Sequence, residues 1–328
     1  MRRILKLAMQ KPEMAAASLL VLLIIVFQIR SNAIFLSYDN LRGILGFLPE
    51  MGLVAIGVTL LMIAGEFDLS VGAVFALGPM IMAVLMTMGW GFWPALLIGL
   101  IACAAVGFTN GWLTIKFDIP SFITTLGMMF IARSMTVVIS GGFPPRPDFD
   151  LIPIDLFVAY VGPGQMFRSS FIWFVIIAII IHILLSRTNF GNWVRATGGF
   201  LPAARGMGIS TDRVKITCFI ICSVLSGFAG VIQVLRLGSP LPSLGNGYEL
   251  QAVAAAVIGG TSLAGGIGSV IGGIIGAALI RVIDNGMVMS QINSNWFQFA
   301  VGALTIFAVV GNAWLRKRGR AMKIETDK

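Results

Sequence analysis

Long apolar runs, separated by short polar or glycine-rich interruptions, fill almost the entire chain. They fall near residues 14–29, 44–64, 71–88, 93–115, 121–139, 170–186, 214–235, 250–262, 265–283 and 296–314. Most approach the roughly 20 residues a helix needs to cross a bilayer. The pattern predicts an all-α, polytopic membrane protein with about ten transmembrane helices, forming a single domain over residues 1–328. The run at 250–262 is short and reads as a half-helix or re-entrant piece. A transmembrane β-barrel would alternate polarity along roughly ten-residue segments, and no such segments occur. The first apolar run follows a basic stretch but is succeeded by "QIRSN", which offers no small-residue cleavage site. It is expected to remain as the first span.

Two interruptions are glycine-rich at membrane depth: "GVTLLMIAGEFDLSVGAVFALG", 57–78, and "VAAAVIGGTSLAGGIGSVIGGIIGA", 253–277. Glycine lets a chain leave the helix, or lets two backbones approach closely. Gly65, Leu69 and Gly72 match Gly259, Leu263 and Gly266 at a constant offset of 194. Paired, glycine-interrupted segments in the two halves are what an internally repeated transporter shows. The competing explanation is glycines that only pack helices together. Gly65, Asp68, Ser70, Gly72, Gly259, Gly260, Gly265 and Gly266 are the candidate pore or gate residues. Asp68 precedes an apolar helix starting at Leu69 or Ser70 and is expected to cap it. Glu66 beside it is expected to be solvated.

A third interruption, "LSRTNFGNWVRATGGFLPAARGMGISTDRVK" at 185–215, carries five basic residues and one acid. The whole chain has 23 Lys and Arg against 14 acids, for a formal charge of +9, yet is 57% hydrophobic and only 11% charged. In a soluble protein such a balance would point to nucleic acid; here it reads as orientation in a membrane. Ten alternating spans put both termini on one side with the loops near 65–70, 116–120, 187–213 and 260–266. That side holds 16 of the basic residues. The other holds Arg30, Arg42, Arg146, Arg168, Arg236 and Arg281, and Arg133 falls within a span. The positive-inside rule therefore predicts cytoplasmic termini and a cytoplasmic 187–213 loop. The loop at 140–169, on the far side, is rich in prolines and acids. It reads either as an ordered lid with a short helix or as a plain connector.

Candidate catalytic chemistry is sparse. The one histidine, His182, lies in the apolar "AIIIHILLS" and reads as a packing residue. Cys103, Cys218 and Cys222 also lie in apolar runs, with no His or acid beside them to complete a metal site. None of the seven lysines follows a glycine, so no P-loop exists. No catalytic residue, metal or cofactor is expected. A proton-driven carrier needs an ionisable group at membrane depth. The acids considered, Glu66, Asp68, Glu249 and Asp284, all sit at the edges of apolar runs, which weakens that alternative.

Taken together, "GEFDLSVGAVFAL", "GNWVRATGGFLPAARGMGI", "GYELQAVAAAVIGGTSLAGGIGSVIGGIIGAALI" and "FAVGALTIFAVV" resemble the permease subunits of bacterial ABC importers for sugars, such as the ribose, xylose, arabinose and galactoside permeases. The similarity runs over about residues 15–315. It implies a permease of the inner membrane that pairs with a second permease subunit, a periplasmic sugar-binding protein and a cytoplasmic ATPase with two nucleotide-binding domains, which would bind the ATP. It also implies that residues 201–207, closed by Gly208, form a coupling helix docking on the ATPase: Leu201, Pro202, Ala203, Ala204, Arg205, Gly206, Met207 and Gly208. Local chemistry agrees. Pro202 suits a first turn, the alanines and Arg205 favour helix, and Gly208 suits its end. Gly198 and Gly199 are expected to supply the turn before it. Relatives usually carry a polar or acidic pair at Phe200-Leu201, a branched apolar residue at Gly206 and a small or apolar one at Glu66. Polar candidates for sugar hydroxyls are Thr59, Asn110, Thr124, Thr125, Ser226 and Asn285. The rival expectations are a carrier or channel working without an ATPase, and an ABC permease for nucleosides or branched-chain amino acids.

Overall fold

The computed structural model describes residues 12–148 and 152–326. Its helices in chain order are α1 (Pro12–Arg30), α2 (Tyr38–Ile63), α3 (Val71–Thr87), α4 (Phe92–Lys116), α5 (Ser121–Ile139), α6 (Ile154–Val158), α7 (Ser169–Arg187), α8 (Asn189–Gly199), α9 (Leu201–Gly206), α10 (Thr211–Leu237), α11 (Tyr248–Ile258), α12 (Val270–Met289) and α13 (Phe297–Thr326). Between α6 and α7, β1 (Tyr160–Val161) pairs antiparallel with β2 (Phe167–Arg168). Among the described residues, eight helices are long and apolar enough to cross a membrane, and α3 and α11 are shorter apolar helices. Each of the ten apolar runs therefore contains a helix, and the protein is a polytopic all-α molecule.

Burial sorts these helices into two layers. From Leu48 to its end α2 is buried throughout, and α3, α10 and α12 bury most of their lengths beside it. Around them α1, α5, α7 and α13 turn residues such as Leu22, Phe130, Ile180 and Phe307 outward. In water that surface would be an unmatched apolar patch; in a bilayer it is the lipid face. Association between such helices depends on close packing of small residues. A Cβ on Gly57 of α2 would lie 3.0 Å from the Cα of Cys222 on α10, so the two backbones nearly touch. All three cysteines are free, buried packing residues, as expected.

The short eighth run is a half-helix. α11 has 11 residues, about 16 Å at 1.5 Å per residue, too little to cross. The chain leaves α10 at Gly238, whose φ of 73° ends that helix, and the loop 238–247 returns inward before α11 begins. Arg133, inside the α5 span, holds that loop. Its Nη1 donates to the carbonyls of Pro242 (2.6 Å) and Leu244 (2.8 Å), and its Nη2 to that of Gly72 in α3 (3.0 Å). Irregular backbone at membrane depth is tolerated where its polar groups are met inside the protein, and Arg133 meets three of them. The next run starts later than its hydrophobicity suggests. α12 begins only after Ser269, whose hydroxyl accepts from Gly272 N (3.0 Å).

On the opposite end, residues 152–169 are built into the fold and are not a plain connector. α6 seats Phe157 among Phe92, Trp93, Trp173 and Phe228, and the Trp173 indole donates to Leu156 O (3.0 Å). Arg42 of α2 lies over the Tyr160 ring at 3.6 Å.

Candidate functional site

The two glycine-rich breaks have the same turn. At the end of α2, the amides of Ala64, Gly65 and Glu66 donate to Leu60, Met62 and Leu61. At the end of α11, the amides of Gly259, Gly260 and Thr261 donate to Ala255, Val257 and Ala256. Gly65 and Gly260 take φ of 90° and 93°, a conformation glycine adopts without the Cβ penalty. The structural equivalents are thus Gly65 and Gly260, at offset 195. Matching Gly65 to Gly259, at 194, was one residue off. Residue identity misled because Ala64 stands where the second break has Gly259. The second break is also longer, since Gly265 and Gly266, with φ of 81° and 75°, fold an added turn before Ser269.

Both breaks meet at one place, and the end of α8 lies between them. Gly266 N donates to Ile63 O (2.9 Å). A Cβ on Gly265 would lie 2.5 Å from Gly198 O and 3.0 Å from Gly65 Cα, and one on Gly266 would lie 2.7 Å from Gly199 Cα. A Cβ on Gly198 would overlap the Ile63 carbonyl. Arg195 Nη1 adds a bond to Gly268 O (3.1 Å). Gly198 and Gly199 do not form the turn before α9, as expected from sequence. They are the last residues of α8, and the chain turns at Phe200 (φ −155°, ψ 93°). Their lack of side chains lets three backbones converge.

α9 runs from Leu201 to Gly206, one residue shorter than expected, with Pro202 in its first turn. Gly208, at φ 79°, closes it, as Gly208 N and Ile209 N donate back to Arg205 and Ala204. Its faces differ sharply. Ala204 is buried. Arg205 turns toward α10, its Nε on Thr211 Oγ1 (3.0 Å) and its Nη2 on Asp212 Oδ1 (2.9 Å). The large apolar side chains left outward are Phe200, 67% exposed, and Met207, 70% exposed. Met207 also lines a cleft of about 480 Å³ with Phe190, Trp193, Ile209 and Val214.

The first break is fixed by polar groups. Asp68 Oδ1 accepts from Ser70 N (2.7 Å) and Ser70 Oγ (2.6 Å), and Asn110 Nδ2 donates to Ser70 Oγ (2.9 Å). Asp68 therefore shapes the turn before α3 and does not cap its first-turn amides; Ser70 is the flanking residue. Leu69 N donates to Thr125 Oγ1 (3.0 Å), and Ser226 Oγ to Val71 O (2.6 Å). Asn285 pairs with Asn40, and Thr59 is buried against Gly273. Of the six polar candidates, four thus hydrogen-bond within the fold; Thr59 Oγ1 and Thr124 Oγ1 are buried without a partner. Glu66 is not solvated. It is 8% exposed and forms an ion pair with Lys215 at 2.5 Å. Gly72 lies away from the junction, against Gly245 and Glu249, and Gly259 packs on Gly272.

Sequence reasoning missed Glu50. It lies inside α2, one residue after Pro49, 1% exposed, with Arg236 Nη1 at 2.9 Å from its Oε1. A carboxylate in an apolar run was the available signal. Among the described residues no group of three or more His, Cys, Asp or Glu side chains is placed to hold a metal.

Comparison with known proteins accounts for this architecture. Residues 40–309 match the family described as branched-chain amino acid transport system / permease component. The ribose import permease of Escherichia coli (strain K12) is 35% identical over 295 residues, covering 89% of this chain and 90% of the relative. The ribose import permease of Bacillus subtilis (strain 168) is 34% identical, with 89% of both covered. The xylose transport system permease of Escherichia coli (strain K12) is 30% identical, with 91% of both covered. No solved structure matches. This chain belongs to that permease family, and it is a multi-pass permease of the ABC-importer type.

Proposed function

We propose that the protein carries a monosaccharide, a pentose in the first instance, through the bacterial inner membrane, driven by a separate ATPase. The ribose and xylose relatives support the cargo. The observation that carries the mechanism is the junction of Gly65, Gly198, Gly265 and Gly266, where the segment bearing α9 is joined to both breaks. A load on α9 reaches α2, α3, α11 and α12 through backbone contacts, without a flexible side chain between. The exposed Phe200 and Met207 are the side chains that an ATPase groove would grip; Ala204 and Arg205 serve the permease itself. ATP binding and hydrolysis occur in the partner, so this chain contributes no covalent chemistry. Both termini and the 187–213 loop lie in the cytoplasm, and the 140–169 and 236–250 loops meet a periplasmic binding protein. A second permease subunit completes the path.

A carrier working without an ATPase has one observation in its favour, the buried Glu50. Its pairing with Arg236 supplies a permanent counter-charge, so protonation is not needed to keep it in the membrane. The test is reconstitution with a cognate ATPase and periplasmic binding protein. ATP-dependent uptake of D-ribose or D-xylose is expected. Uptake that persists without the ATPase and collapses with the proton gradient would overturn the reading.

A further inference from the structure

The proposed function uses the glycine junction but leaves a second polar assembly unexplained. Glu50, Arg236, Arg281 and Tyr248 come from α2, α10, α12 and α11, the helices whose opposite ends lie at or beside the junction. Glu50 stands 13 residues from the end of α2, about 20 Å from the breaks. Pro49 lacks the amide that a helix uses to bond back, and Arg236 donates to the nearby Gly46 carbonyl (2.9 Å) while facing Glu50. Arg281 Nη2 donates to the Tyr248 hydroxyl (2.8 Å), and their helices, α12 and α11, both pack against α2. Phe47 lies flat under Arg236, 3.9 Å from its guanidinium.

Stability alone does not call for such a group. An apolar replacement of a buried ion pair is often neutral or stabilising, and charges at membrane depth usually mark function. The assembly also keeps unused hydrogen-bonding capacity. Glu50 Oε1 faces Arg236 at 2.9 Å, while Glu50 Oε2, Arg236 Nε, Arg281 Nε and Gln233 Oε1 are buried without a hydrogen-bond partner. Gln233 is one turn from Arg236 on the same side of α10. Buried polar atoms are normally satisfied, so a cluster of exceptions needs an explanation. These exceptions include both acceptors and donors. A vicinal diol suits such a mixture, because each hydroxyl both donates and accepts, whereas an anion would meet the Glu50 carboxylate. The accessible edge is at Asp284, whose side chain is 45% exposed, and at Phe47.

We infer that Glu50, Arg236 and Arg281, with Gln233 and Tyr248, form a binding station for a polyhydroxylated solute within the permease. The inference rests on the sugar-import reading and goes beyond it by placing a contact in this chain. The experiment measures equilibrium binding of radiolabelled D-ribose and D-xylose to the full-length permease in nanodiscs, without binding protein, beside uptake by the assembled importer. The variants are the charge-balanced Glu50→Gln/Arg236→Gln and the milder Gln233→Leu. Saturable binding to the wild type is expected, weakened at least tenfold in the double variant and several-fold in Gln233→Leu. The uptake preference between the two pentoses should change as well. The same binding protein serves every variant, so its own selection cancels in that ratio. An importer that carries a pentose while its permease shows no saturable binding would overturn the station and leave the sugar reading standing. So would variants that slow both sugars equally with unchanged binding, which is what a mere brace between helices predicts. An importer that carries neither sugar would overturn both.

Discussion

Replacing Gly198 with alanine tests how the junction is built, and sequence and structure disagree about its sign. Gly198 lies in the last turn of α8 with an ordinary helical backbone. By helix propensity alone, alanine there gains about 1 kcal/mol. In the structure the added methyl meets the Ile63 carbonyl, the Ala64 carbonyl carbon at 2.9 Å and Gly266 N at 2.9 Å. All three are backbone atoms, so no side chain can swing aside. The methyl presses on both Ile63 O and Gly266 N, so relief wedges the two breaks apart as α8 shifts, and overpacking of this kind costs ~1–3 kcal/mol. The same movement stretches the Gly266–Ile63 hydrogen bond, worth ~1 kcal/mol. The expected net is a loss of roughly 1–3 kcal/mol despite the better helix former. Gly206→Ala is the control, because nothing lies within 4 Å of that position; it should be neutral or stabilise by up to ~1 kcal/mol. Thermal unfolding of the two purified variants in the same nanodisc gives the comparison. A Gly198→Ala protein that unfolds at or above the wild-type temperature would refute the described convergence of three backbones.

Further outcomes follow from the same geometry. Phe200→Ala and Met207→Ala remove large exposed side chains, so each should weaken ATPase association by ~1–2 kcal/mol, around tenfold in Kd, with unchanged unfolding of the permease; equal affinity in a pull-down titration would exclude them as anchors. Ala204→Asp places a carboxylate at a buried position and should unfold the permease at lower temperature, showing a packing fault and not a docking one. Lys215→Gln leaves Glu66 without its cation; the pair is 16% and 11% exposed, so the loss is smaller than the ~3–5 kcal/mol of a fully buried pair, and Glu66→Gln in addition should recover most of it. Arg133→Met releases three carbonyls of the re-entrant region and should speed maleimide labelling of a cysteine placed at Ser243; an unchanged rate would show the loop is held by other means.

Much of this architecture was legible because membrane helices announce themselves by length and apolarity. Even the anomaly at 250–262 was visible as a run too short to span. The breaks were legible as glycine clusters, and α9 as a proline start and a glycine stop. The details that failed are those fixed by tertiary contact. Glu66 looked like a surface charge because its partner, Lys215, is 149 residues away. Gly198 and Gly199 looked like a turn because glycine serves both turns and close approach, and only the neighbouring backbones distinguish the two. Asp68 looked like a cap because its bond to Ser70 begins two residues earlier than a cap's. Glu50 was readable and was passed over, since "FLPEMGL" is otherwise uniformly apolar.

The central claim is that α9 and the glycine breaks move as one piece when the ATPase acts. Electron paramagnetic resonance on the assembled importer tests it, with labels in one protomer at Ala203 on α9, Leu263 in the second break and Trp90 at the opposite end. These sites are exposed. The distance from Ala203 to Leu263 should be the same without nucleotide and with ATP bound, while the distance from Ala203 to Trp90 changes. An Ala203–Leu263 distance that shifts as much as the other would contradict the account.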